Sequence, residues 1–153
     1  MCKMASGFIN PRTLEVKVKH LDSHSDTADA LGLKDTCKPN DWREMHYTPE
    51  GEIECRVLPV DSHTSEECVS AVRAKWPTFV SFFNWAVANG GISTTLDLSS
   101  LTSADGLAIP DGVETLDLSS LTSADGLVIP DGVKWLYLSS KVRSELDAKR
   151  KEA

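Results

Sequence analysis

Hydrophobic and polar positions change period several times along this chain, and each period predicts an element. Leu14, Val16 and Val18 alternate with Glu15, Lys17 and Lys19; a period of two predicts a half-buried strand over 13–20. In the following HLDSHSDTADALGLKD, Ser25 is placed to cap a short helix that runs through Leu31 and stops near Gly32. Residues 35–41, DTCKPND, are a loop by composition. Residues 42–58 predict a hairpin. Pro49-Glu50-Gly51 puts glycine where a three-residue loop needs a positive φ. Pairing Thr48 with Glu52 then sets Tyr47 opposite Ile53 and Met45 opposite Cys55 on an apolar side. On the other side His46 meets Glu54 and Glu44 meets Arg56, so turn and pattern agree on one register.

Helical spacing follows. Thr64-Ser65-Glu66-Glu67 has the form of a capping box, and Cys68, Val69, Val72 and Trp76 share the face of the helix it opens. Pro77 interrupts: either a second helix starts with it at the first position, or one helix kinks there. Phe79, Val80, Phe83, Ala86 and Val87 continue the spacing to Asn89-Gly90-Gly91, which ends the run. This most apolar segment is expected to form the core of an N-terminal unit and to cover the open end of what comes next.

From Thr95 the period becomes twenty. Residues 95–114 and 115–134 are identical at 18 of 20 positions, differing only at Ala108/Val128 and Glu114/Lys134, and a third copy starts at Trp135 and breaks off at Ser140. A fixed period of this length predicts stacked coils. Within a coil Leu96 and Leu98 point inward and Asp97 outward, as do Leu116, Leu118 and Asp117, then Leu136, Leu138 and Tyr137. Leu107 and Ile109, repeated as Leu127 and Ile129, are expected to close a second wall, with Asp105-Gly106 and Pro110-Asp111-Gly112 as corners. The tail KVRSELDAKRKEA suits a helical cap, with Val142 and Leu146 four apart and Glu145–Lys149 and Asp147–Lys151 as i,i+4 pairs.

Val113-x-x-Leu116-x-Leu118 and Val133-x-x-Leu136-x-Leu138 resemble the first half of the leucine-rich repeat pattern; where that family places Asn, this chain has Leu101 and Leu121. The LTSADGLVIPDGV phrase is also similar to short-period repeats of phage and bacterial proteins. The resemblance covers residues 94–140 and implies a binding scaffold with a partner. The expected fold class is therefore α+β: an N-terminal mixed domain over 1–93, a short leucine-rich-like β-solenoid over 94–140, and a C-terminal helical cap over 141–153.

Charge sharpens the picture. The net charge is −7, but residues 94–140 carry one Lys against seven acids, while residues 141–153 carry five basic residues against three acids. The repeat is the acidic part, a surface that repels nucleic acid and anionic lipid and complements a basic protein. Its acids form columns, Asp97/Asp117, Asp105/Asp125 and Asp111/Asp131, joined by Glu114; with Tyr137 they are the candidate partner-binding residues. The alternative is that they are solvated turns, since Asp before Gly is ordinary turn chemistry. Trp135 and Tyr137 replace Thr115 and Asp117 of the copy before; Tyr137 points outward by parity, unless both rings pack beneath the cap.

Chemistry beyond binding has little to stand on. Cys2, Cys37, Cys55 and Cys68 contain no CxxC pair, so a zinc ribbon is not expected. His20 and His24 lie beside Asp22 and Asp26 in a turn-rich junction, where a third metal ligand would have to come from Cys37 or His63. Cys55 or Cys68 with His63 could be drawn as a nucleophile pair, but both thiols fall on apolar faces. No phosphate loop, G-x-S-x-G or H-E-x-x-H occurs. No apolar stretch reaches the about 18 residues of a membrane span, and the start lacks a signal-like apolar region, so a cytoplasmic setting with reduced thiols is expected. The expected function is non-catalytic protein binding without cofactor or metal. Its sharper form is an inhibitor from a mobile element that fills the basic nucleic-acid groove of a host defence protein. A small metal or Cys/His enzyme within 1–93 and a virion component are the rival readings.

Overall fold

The computed structural model describes residues 5–33, 42–56 and 64–152. The elements in chain order are β1 Ala5–Ile9, β2 Val16–Lys17, α1 His24–Leu31, β3 Arg43–Tyr47, β4 Ile53–Cys55, α2 Ser65–Lys75, α3 Phe79–Ala88, β5 Thr95–Asp97, β6 Thr115–Asp117, β7 Trp135–Tyr137 and α4 Ser140–Glu152. They build a four-stranded antiparallel sheet in the order β2-β1-β3-β4 and a three-stranded parallel sheet in the order β5-β6-β7. The α+β class stands.

The hairpin forms in the register its turn and charges dictate. Met45 pairs with Cys55, His46 with Glu54 and Tyr47 with Ile53, Thr48 N donates to Glu52 O at 2.8 Å, and Arg56 meets Glu44 at 3.1 Å. The strand expected over 13–20 is divided. Only Val16–Lys17 pair with β1, because Leu14 sits in a left-handed turn at φ 62. Beyond Lys17 the chain turns to Ile92 instead: Ile92 N donates to Lys19 O at 2.6 Å and Leu21 N to Ile92 O at 2.9 Å. The first helix starts two residues before the Ser25 expectation, with Ser23 Oγ accepting from Asp26 N. The loop at 35–41 and the hairpin's end beyond Arg56 lie outside the described residues.

Pro77 separates two helices. Trp76 ends α2, and Thr78 caps α3 through a reciprocal bond with Ser81. Tyr47, Trp76, Phe79, Phe82, Phe83 and Trp85 then interlock, with ring centroids 4.5–6.1 Å apart, and the Tyr47 hydroxyl donates to Trp76 O at 2.8 Å. One contiguous core runs from this cluster into Leu96, Leu116, Leu118 and Leu121 of the repeat and on to Val142 and Leu146.

The β-solenoid expected over 94–140 is not what the repeat makes. Its period does bring equivalent residues into register, Thr95 with Thr115 and Trp135, Leu96 with Leu116 and Leu136, and Asp97 with Asp117 and Tyr137. Each copy, however, gives only three residues to a strand, and the rest of each copy runs through turns. The second wall is present as packing, with Leu107 and Leu127 buried and Ile109 and Ile129 against the same core, but it carries no strand, for a local reason. Leu107 and Ile109 are flanked by Gly106 at φ 77 and by Pro110, and their counterparts by Gly126 at φ 74 and Pro130. A left-handed residue leaves extended geometry, and proline has no N–H to donate to a ladder. The product is one open parallel sheet over a leucine core, closed at each end by a helix.

Those helices stand in for missing rungs. Asn84 of α3 donates its Nδ2 to Gly106 O at 2.6 Å and accepts from Ala108 N at 2.8 Å. Where Thr122 N donates to Thr102 O at 3.2 Å, the next donor to Thr122 O is the Lys141 ammonium of α4, also at 3.2 Å. Glu145 accepts from Ala124 N at 3.0 Å. The acid and the amine expected to pair along the helix as Glu145–Lys149 are thus turned onto the repeat, as Lys149 reaches Asp125 at 2.8 Å. Val142 and Leu146 are buried, as their spacing predicts.

Candidate interaction face

The outward side of the parallel sheet carries two columns, Thr95–Thr115–Trp135 and Asp97–Asp117–Tyr137. Alternation along each strand puts the intervening leucines inside, where Leu96 and Leu116 are 4% and 0% exposed. The two carboxylates are held, not loose. Asp97 Oδ1 accepts from Ser99 N at 3.1 Å and Asp117 Oδ1 from Ser119 N at 3.0 Å, so β5 and β6 each end in an Asx turn that fixes the aim of the carboxylate. Like charges about 4.8 Å apart on adjacent strands oppose folding by a few tenths of a kcal/mol. The buried leucine column outweighs that, at about 1.5–3 kcal/mol for each side chain.

The third rung replaces threonine and aspartate with two aromatic rings that stay in solvent. Trp135 is 63% and Tyr137 55% exposed; neither packs beneath the cap. They lie two residues apart on one strand and on one side. Parity in the sequence places Tyr137; Trp135 belongs to the same face by the same parity and joins the candidate site here.

The remaining acids go elsewhere. Asp105 and Asp125 occupy the corner beside α3 and α4. Lys149 and Ser123 hydrogen-bond to Asp125, and with the ammonium's charge they hold its carboxyl below the ordinary value. Glu114 is paired with Lys134 at 3.2 Å. Asp111 lines a cavity of about 410 Å³ with His20, Asp22, Asp26 and Ile92. Asp131 lines a cleft of about 520 Å³ with Arg143 and Arg150. Of the eight candidate residues, the fold brings Asp97, Asp117 and Tyr137 onto one face, and spreads Asp105, Asp125, Asp111, Asp131 and Glu114 over other corners.

β7 is also an edge strand. Trp135 and Tyr137 bond to β6 (Trp135 N to Glu114 O at 3.0 Å, Leu118 N to Tyr137 O at 2.9 Å), so the peptide groups of Leu136 face outward. Arg143 Nη2 covers Leu136 O at 2.6 Å, a charged block of the kind that discourages strand addition.

Among the described residues, the histidine and thiol candidates do not assemble into a metal or nucleophile site. The backbone N–H of His20 is bonded to Thr27 Oγ1 at 2.8 Å, and His46 stands 3.6 Å from Glu54. Cys37, His63 and Cys2 lie outside the described residues. Burial, helped by the nearby Cys68, pushes the Cys55 thiol up to about 12, which keeps it protonated and unreactive. Among the described residues, no three His, Cys, Asp or Glu side chains converge as a metal site, and no helix is long and apolar enough to cross a membrane. Comparison of the chain with protein-family models, with curated proteins and with solved structures finds no match in any of the three.

Proposed function

We propose that this chain is a non-catalytic protein-binding module whose recognition face is the outer side of the parallel sheet, and that its partner presents a basic surface. The observation that carries the reading is the register Asp97–Asp117–Tyr137. It puts two oriented carboxylates and an exposed aromatic ring in one line on a rigid, leucine-backed support. Fixed charges on a sheet lose little conformational freedom when a partner arrives, which favours binding. The acidic balance of residues 94–140 adds long-range attraction for a cationic surface.

The sharper expectation was a polyanion that fills a nucleic-acid groove of a host defence protein. The geometry favours a narrower contact. Lys134 and Lys149 interrupt the acids at Glu114 and Asp125, and Arg143 and Arg150 adjoin Asp131, so the acids do not form one continuous stripe. A basic protein whose contact spans the sheet face is the partner this arrangement suits.

Capture from a host lysate on immobilised protein, followed by titration of the captured partner, tests the reading. Asp97→Asn with Asp117→Asn should weaken binding about three- to tenfold, as expected for exposed charges at an interface. Raising salt from about 0.05 M to about 0.3 M should weaken it further. Binding that ignores both changes would overturn the proposal.

A further inference from the structure

The repeat copies itself almost without change until its last rung, and there the outward residues switch from Thr and Asp to Trp135 and Tyr137. Exposing two large rings on a sheet is unfavourable in water, and isolated rings do not require explanation. A pair on one strand, in register with a carboxylate on the next, is a different matter. Aromatic faces attract cations, guanidinium above all, because the ring quadrupole is negative over its plane and the flat guanidinium stacks on it. Asp117 lies one rung from Tyr137 and Asp97 two rungs away, about 4.8 and 9.6 Å along the column. An extended peptide crossing the rungs presents same-side residues about 6.6–7 Å apart. Its first cationic side chain then falls on the rings, and its second falls between the two carboxylates.

We propose that the face binds an extended basic segment of Arg-x-Arg or Arg-x-Lys type, its leading arginine stacked on Trp135 and Tyr137 and its following cation held by Asp117 and Asp97. This rests on the sheet-face reading above and specifies its partner. The segment lies across the sheet, not along its edge, since Arg143 covers the Leu136 carbonyl there.

The test uses two labelled decapeptides of alternating Arg and Ser or Lys and Ser, equal in charge, titrated into the full chain by fluorescence anisotropy. The Arg peptide should bind about tenfold more tightly than the Lys peptide. The decisive variant is Trp135→Thr with Tyr137→Asp, which writes the second rung's residues into the third and adds a carboxylate. If charge alone drives binding, this variant binds the Arg peptide more tightly; if stacking does, it binds about tenfold more weakly and no longer prefers Arg. Equal or tighter binding overturns the inference while leaving the acidic-face reading in place. Asp97→Asn with Asp117→Asn should weaken both peptides alike and keep the preference. If neither peptide binds the wild type, this inference falls; if lysate capture also ignores salt and the Asn pair, the broader reading falls with it. A second measurement covers loss of folding in the aromatic variant. The Trp135 emission, taken as the difference between wild type and Trp135→Phe, should be quenched by the Arg peptide, and unchanged emission overturns the stacking.

Discussion

The face exists only if consecutive copies stack closely, and two glycines at the same place in the repeat measure that closeness. Gly106 and Gly126 both adopt left-handed backbone, φ 77 and φ 74, so replacing either with alanine costs about 1–2 kcal/mol in backbone strain alone. Their surroundings differ. A Cβ on Gly106 would meet nothing nearer than Val80 Cγ1 at 3.9 Å, an ordinary contact with a side chain of α3. A Cβ on Gly126 would lie 3.2 Å from Asp105 Cα and 3.4 Å from its Oδ1, against the backbone of the previous rung. A backbone atom cannot swing aside, so the rungs would have to part by a few tenths of an ångström, adding about 1 kcal/mol or more of overpacking. Gly126→Ala should therefore lose about 2–3 kcal/mol where Gly106→Ala loses about 1–2. For a chain of 153 residues the difference is about 2–4 °C in Tm. Urea unfolding of both variants, with comparison of midpoints at unchanged slope, gives the two values directly. Equal losses, or a larger loss at Gly106, would refute the close stacking and with it the column of carboxylates.

Three further outcomes are expected. The Asp125 carboxyl is held low by Lys149 and Ser123; a folded pKa below the unfolded one gives stability present above the unfolded value and lost as pH falls through the folded value. NMR titration should show that Lys149→Ala raises the Asp125 pKa and flattens the acid limb of stability, and an unmoved pKa would remove the pair. Cys55, pushed up to about 12, should resist iodoacetamide at pH about 8 in the folded chain and react once unfolded, as resolved by peptide mass spectrometry; its raised folded pKa also means that its contribution to stability is full below the ordinary thiol value of 9.0 and is lost as pH rises from there to about 12. Arg143→Ala should uncover the Leu136 carbonyl and raise concentration-dependent association in sedimentation relative to wild type, and identical profiles would show that the edge is protected by something else.

How far the sequence carries depends on how many independent signals agree at a place. In the hairpin, a glycine turn, the alternation from Glu44 to Tyr47 and two charge pairs all point to one register, and the observed pairs match it. In β1 nothing points anywhere. Ala5–Ile9 pairs on both sides, with β2 and with β3, and all five residues are buried, so no polar alternation marks it. The solenoid expectation failed because Leu107 and Ile109 reach the core as their apolar character suggests, while Gly106 and Pro110 beside them keep that wall from pairing as strands. The candidate face was legible as far as parity reaches, to Asp97, Asp117 and Tyr137. The fate of the other acids was not, because Lys149 meets Asp125 across 24 positions of chain, and only the docking of α4 brings them together.

The substitution of missing rungs by Asn84 at one end and by Lys141 and Glu145 at the other has an evolutionary consequence. Terminal fittings of this sort do not depend on how many modules lie between them. In-frame gain or loss of a whole twenty-residue module therefore changes the reach of the outer surface in steps of about 4.8 Å while both fittings stay as they are. Recombination within the gene can thus lengthen or shorten that surface without inventing a new core.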